Sequence, residues 1–261
     1  SGSDSSDDKV VSLLGALAVL LPFGQALARA AASAQWRSDL PTVRDHALAA
    51  VELGGGVTTV LTQGLGVLPL GPALFRATLV SAIDTALASW VLWHIVRRLV
   101  SVLPLSPRLV ALLAAIATLT AGMTEAWQAE ATIAGGGAVA TALTLGTLLL
   151  ALQATGPDAR VLTPEAARRW LFVAVGLGAT FAESPATGVV LLVAVVAAAE
   201  TAGKRPVLRL WPSLVVALLA SFALLTAPLW LRPYAPGSLS DLARAVSATR
   251  LSAMAVARDE S

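Results

Sequence analysis

The stretch Leu68–Leu99, LPLGPALFRATLVSAIDTALASWVLWHIVRRL, decides the class of this protein. It opens on a tight turn built from Pro69, Gly71 and Pro72 and stops at Arg97 and Arg98. Between them lies an apolar run long enough to cross the roughly 30 Å hydrocarbon core of a bilayer as a helix. Arg76 sits one turn inside the start of that run, and Asp84 lies near its middle. A charge at the centre of a spanning helix costs about 2.5–3.5 kcal/mol on insertion scales, so Asp84 must be neutral or paired. Arg76 is about 12 Å away along the helix axis, too far for direct pairing. A partner for Asp84 therefore has to come from another helix or another chain.

The rest of the chain has the same character. Of its 261 residues 56% are hydrophobic and 13% charged, where a soluble domain carries about 25% charged residues. Apolar runs of about twenty residues recur, and they are continuous rather than alternating, which indicates a helical bundle and not a barrel. The absence of cysteine excludes disulfides, iron–sulfur clusters and thiol nucleophiles. With two histidines, His46 and His94, there is little material for a metal site, and no metal or other cofactor is expected. A net charge of +2 gives no reason to expect a nucleic-acid partner.

The sequence divides into a leader over 1–9, SGSDSSDDK, which reads as disordered, a membrane domain over 10–232, and an amphipathic or partly disordered tail over 233–261. The fold class expected is all-α, a polytopic bundle of about seven spans. The spans are placed near 10–28, 73–96, 109–123, 131–152, 170–182, 183–199 and 210–231, with Glu183-Ser184-Pro185 interrupting the fifth and sixth. Glu125, Trp127 and Glu130 read as a short polar link. The glycine- and threonine-rich run 54–66 reads as a re-entrant or interfacial segment after the first span, since irregular backbone at membrane depth needs protein or water around it.

Positive charge sets the expected orientation. Arg97, Arg98 and Arg108, then Arg160, Arg168 and Arg169, then Lys204, Arg205 and Arg209 fall in alternate loops, which places those loops and the N-terminus in the cytoplasm. Trp36, Trp127 and Trp230 then mark outer ends, and Trp90, Trp93, Trp170 and Trp211 inner ends, as interfacial indoles do. His94, beside Trp93, reads as an interfacial residue rather than a ligand. Glu125 and Glu130 read as solvated link residues, with cation binding as the other possibility. Gly135–Gly137 reads as a site of close helix approach.

LPLGPALFRATLVSAI, followed by an alanine-rich span and an Arg-Arg stop, resembles the second span of a bacterial membrane family, the protein O-mannosyltransferase-like group of GT-C glycosyltransferases. WQAEATIAGGGAVATALTLGTLLLAL (127–152) is similar to the family's span with a Trp-x-Gln-Ala entry. RRWLFVAVGLGATFAESPATGVVLLV (168–193) is similar to its later glycine-rich pair of half-spans, and APLWLRP (227–233) to its exit. The resemblance implies a GT-C-like core in a bacterial cytoplasmic membrane and a polyprenyl-phosphate sugar as donor. It implies a catalytic acid in the first external loop. It also implies a degenerate and truncated member, because the departures are systematic. The family's Asp-Ser-Gly-Glu falls on Thr42-Val43-Arg44-Asp45, its His-Pro-Pro-Gly-His-Pro has no counterpart in 55–66, and its Asn-His-Pro falls on Glu183-Ser184-Pro185.

Several polar residues stand out beside the resemblance, and Asp84 matches no polar position of the family. Asp45, with Arg44 and His46, is a remnant acid–base cluster or an ordinary solvated loop. Arg76, with Arg44, meets a lipid phosphate or snorkels to the interface. Asp84 and Glu183 are intramembrane polar positions suited to assembly. Three functions stand open. The leading one is a non-catalytic subunit or scaffold of a membrane complex, embedded in the bilayer beside other membrane subunits. The second is an active polyprenyl-phosphate-sugar-dependent glycosyltransferase using Asp45. The third is a small transporter with Asp84 as proton site.

Overall fold

The computed structural model describes residues 2–33, 35–36, 55–66, 73–134, 137–155, 163–202 and 204–230. In chain order these form α1 (Gly2–Ser33), β1 (Gln35–Trp36), α2 (Gly56–Gly66), α3 (Ala73–Val100), α4 (Pro107–Gly122), α5 (Glu125–Thr132), β2 (Ile133–Ala134), α6 (Ala138–Ala154), α7 (Pro164–Glu183), α8 (Pro185–Ala202) and α9 (Lys204–Trp230). The architecture is helical, with one two-residue parallel bridge pairing Gln35 with Ile133 and Trp36 with Ala134.

Three helices are long and apolar enough to cross a membrane singly, over 8–32, 75–100 and 210–227. A fourth results if α4 and α5, bent by 61° at their junction, are counted as one span. α6 and α8 are apolar but shorter. These are the helices of a membrane protein, and their outward faces agree. Leu20 on α1, Val190 and Val193 on α8, and Val216 and Leu224 on α9 are all more than half exposed. A surface of this kind is stable against acyl chains rather than water.

Helix starts follow a repeated local rule. Ser106 precedes Pro107, Thr163 precedes Pro164, and Ser184 precedes Pro185. Proline suits the first helical position because its missing N–H had no intrahelical partner there. The Ser106 and Thr163 hydroxyls accept the N–H of Leu109 (3.4 Å) and Ala166 (3.1 Å). Ser184, in extended backbone, ends α7 and starts α8 at once. Thr124 does the same for α5, accepting the N–H of Trp127 at 3.4 Å. The stretch expected as a polar link is thus a capped helix, and the span expected to open at 131 opens instead at Ala138, after the glycine run. The stretch expected as a disordered leader is helical from Gly2.

α3 is the central element. It is in contact with α1, α2, α4, α5, α6 and β2. Its neighbours α1 and α4 approach closely because alanine and glycine line the contact. Ala18, Ala114 and Ala115 pack around Trp93, and Ala26 packs with Ala82 and Ala131. A Cβ on Gly15 would stand 2.8 Å from the Trp93 ring, so only glycine lets that indole lie against α1. At the other side α3 meets α6 through Val91, Ile95 and Leu149. The second half forms a larger-residue core of Trp170, Val173, Leu177, Leu191 and Val195 with Ala151 and Ala154.

These contacts define two ends. At one, α3 stops at Arg97 and Arg98, α4 starts beside Arg108, α6 stops, and α7 starts beside Arg168 and Arg169. At the other lie the start of α3, α2, α5, the β1–β2 bridge and the Glu183 break between α7 and α8.

Two helical glycines separate contact from propensity. A Cβ on Gly178 would collide with the Leu218 carbonyl oxygen of α9, whereas one on Gly146 meets nothing within 4 Å. Thermal unfolding in detergent should therefore show Gly178→Ala destabilised by about 1–3 kcal/mol through overpacking. Gly146→Ala should be unchanged or up to about 1 kcal/mol more stable.

Candidate functional site

The polar groups buried at the second end gather around Glu183. α2 begins at Gly56, and the residue before it, Gly55, has no side chain with which to cap it. The first N–H groups of any helix lack intrahelical partners and carry the positive end of its dipole. Glu183, at the last position of α7, supplies the missing acceptor. Its carboxylate receives the Gly55 N–H at 3.3 Å, the Thr58 N–H at 2.9 Å and the Thr58 hydroxyl. The approach requires glycine. A Cβ on Gly55 would fall into the Glu183 backbone, and one on Gly56 into the Leu225 carbonyl of α9.

A second glycine-led helix is closed in the same way. Gly137, at the start of α6, has no side-chain cap, and its N–H donates to the carboxylate of Glu130 on α5. Glu130 therefore has a structural partner and is not simply a solvated link residue. Glu125 stands in the first turn of α5, where a negative charge suits the helix start.

Asp84 is 8% exposed and lies within electrostatic reach of Glu183. Among the described residues no cation pairs with Asp84. The rest of this face of α3 is occupied by its own backbone and its neighbours. Ser81 donates to the Ile133 carbonyl at 2.9 Å and thereby ties α3 to the β1–β2 bridge. Thr85 donates to Ser81 O at 2.8 Å, and Ser89 to Thr85 O at 2.9 Å. Arg76 is half-buried near the start of α3 and has an interaction partner. Asp45, Arg44 and His46 lie outside the described residues.

One buried polar junction was not singled out from the sequence. Gln128, fully buried on α5, donates through Nε2 to the carbonyls of Gly122 (2.6 Å) and Pro22 (3.2 Å). It pins the bend between α4 and α5 to the proline inside α1. Gly122 makes room, since a Cβ there would meet Pro22 Cγ at 2.8 Å and Ser89 Oγ at 3.3 Å. The available signal was a glutamine two residues before the apolar run that follows Glu130.

At the basic end a cavity of about 320 Å3 is lined by His94, Arg97, Arg98, Ser101 and Gln153 with Val110 and Leu149. Among the described residues no three acidic or histidine side chains gather in a way that could hold a metal ion.

No family model matches the chain, and neither a curated protein nor a solved structure is similar to it.

The two acids near α2 should respond in opposite ways to loss of charge. Each hydrogen bond to a charged group is worth about 1.5–3 kcal/mol. Because Glu183 is only half-buried, Glu183→Ala should cost about 2–3 kcal/mol in total and speed hydrogen exchange at the Thr58 amide. Asp84→Asn removes a like charge and should leave the unfolding midpoint unchanged or raise it. Exchange mass spectrometry with thermal unfolding in detergent reads both.

Proposed function

We propose that the chain is a non-catalytic membrane subunit, a scaffold on a GT-C-like bundle of about seven spans that sits in the bilayer beside other membrane proteins. The observation that carries this reading is the employment of Glu183. It stands where the resembled family has its Asn-His-Pro, and its carboxylate is taken up by three donors of α2. The carboxylate is thereby engaged in joining the end of α7 to the start of α2. Ser81, Thr85 and Ser89 on the adjoining helix are likewise engaged with backbone carbonyls. Polar groups at this end hold helices together.

The reading also fits the outer faces of the bundle. α1, α8 and α9 present apolar side chains that lipid or apolar subunits can cover. The clustering of Arg97, Arg98, Arg108, Arg168 and Arg169 at one end supports placing that end, and with it the start of α1, at the cytoplasmic side of a bacterial inner membrane. α2, only 11 residues long and packed on α3, α7 and α9, then lies at the outer side as an interfacial or re-entrant helix.

The test is purification from the native membrane in mild detergent, followed by mass spectrometry of everything that elutes with the chain. The expected result is a stoichiometric set of membrane partners and no sugar transfer from a polyprenyl-phosphate donor. A lone protein whose transfer activity disappears in Asp45→Ala would overturn the scaffold reading.

A further inference from the structure

We propose that the cavity at the basic end of the bundle is a binding site for a phosphate group, of the kind carried by an anionic lipid headgroup. The site is built where α3, α4 and α6 meet. α3 contributes His94, Arg97 and Arg98 from its last turns, α6 contributes Gln153, and Val110 of α4 and Leu149 of α6 form an apolar wall. Its volume, about 320 Å3, is at the lower end of the range usual for small-molecule sites.

Arg97 and His94 are held in place before any ligand arrives. The Arg97 guanidinium lies 4.6 Å from the centre of the Trp93 ring, and that ring is itself buried against Gly15 of α1. A guanidinium on an indole face is oriented by the ring while its N–H edge stays free to donate. The His94 imidazole is set edge-on between Trp90 (4.6 Å) and Trp93 (4.8 Å). Across the cavity, Arg169 donates to the Gln153 carbonyl at 3.1 Å and pairs with Glu165 at 2.7 Å, which fixes the end of α6 to the start of α7. That pairing answers Arg169. Among the described residues no carboxylate answers Arg97 or Arg98. Their charges suit the negative end of the α3 dipole, but a helix end offers only carbonyls and leaves most guanidinium donors unused.

The chemistry that completes such a site is an anion with several acceptor oxygens on one centre, which two arginines grip by paired N–H donors. Carboxylates and phosphates both offer such oxygens, and at a membrane surface their abundant carrier is a phosphate headgroup. The surroundings favour a lipid as its carrier. Trp90, 47% exposed, and Leu99, 58% exposed, stand next to lining residues on α3 and present an apolar surface beside the cations. Basic pockets between spanning helices bind anionic headgroups in this manner. A soluble phosphate compound offers the same oxygens, and the experiment separates the two. The proposal does not depend on whether the chain catalyses a reaction.

The full chain is reconstituted in phosphatidylcholine nanodiscs containing phosphatidylglycerol, and lipids retained on release are counted by native mass spectrometry. The expected result is preferential retention of phosphatidylglycerol, weakened about thirtyfold in Arg97→Gln/Arg98→Gln, in line with the contribution of two basic residues at an anionic surface. Arg97→Lys/Arg98→Lys, which keeps charge without the forks, should recover part of it. Inorganic phosphate is then titrated against the retained lipid. Lipid that stays bound assigns the site to a headgroup, and displacement by inorganic phosphate assigns it to a soluble phosphate. Wild-type protein that holds phosphatidylglycerol no better than phosphatidylcholine and binds no inorganic phosphate overturns the proposal, whatever the variants do. Equal retention in wild type and the folded glutamine variant overturns it as well.

Discussion

A helix that starts on glycine has no oxygen of its own to meet its first N–H groups, and two helices of this bundle start that way. Each is closed by a glutamate from elsewhere: Glu183 of α7 for α2, and Glu130 of α5 for α6. In water such a start would be hydrated and the imported acid would matter little. Where the site is partly buried, as at Glu183, an unmet donor is costly and the cap becomes a joint between elements; the Glu130 cap lies exposed. The Glu183 joint is the more demanding of the two. It fixes the end of α7 against the start of α2, and Gly56 brings the same turn onto the α9 backbone at Leu225. Glycine is therefore required twice over, first to let the backbones touch and then because its use removes the local cap.

The same economy governs the other half of the bundle. α1, α3 and α4 pack through alanine, and each large or polar group among them sits where a glycine leaves room. Trp93 lies on Gly15, while Pro22 and Ser89 meet at Gly122. Gln128 then spends its amide donors on the two carbonyls nearest that bend. Close approach of small residues supplies dispersion and short polar contacts, which are what helices can use when lipid is as apolar as their side chains.

These facts explain which parts were legible in the sequence. Apolar length is a local signal, and the spans it placed near 73–96, 109–123 and 210–231 overlap α3, α4 and α9. The segment after Thr124 misled because its composition is polar. Its helical state depends on a cap and on burial of Gln128, and burial is not visible in one residue's neighbours along the chain. The glycine runs were legible as special but not as joints, since each partner glutamate belongs to another helix and Glu183 is 125 positions from Thr58. Asp84 was correctly marked as needing an explanation. That it lies within electrostatic reach of Glu183 on another helix is a tertiary fact with no sequence signature.

The two ends of the bundle now stand in contrast. At the Glu183 end, Glu183 and Glu130 are matched to backbone donors, and Ser81, Thr85 and Ser89 of α3 to carbonyls. At the Arg97 end, Arg97, set on the Trp93 ring, and Arg98 line an open cavity, while Glu165 is committed to Arg169. Polar groups that satisfy one another hold a fold together, whereas charges held in place and left unanswered require something from outside it. On the scaffold reading this asymmetry has a direct consequence. Loss of Glu183 would disturb the joint between α7 and α2, whereas loss of Arg97 and Arg98 would weaken what binds at the cavity they line.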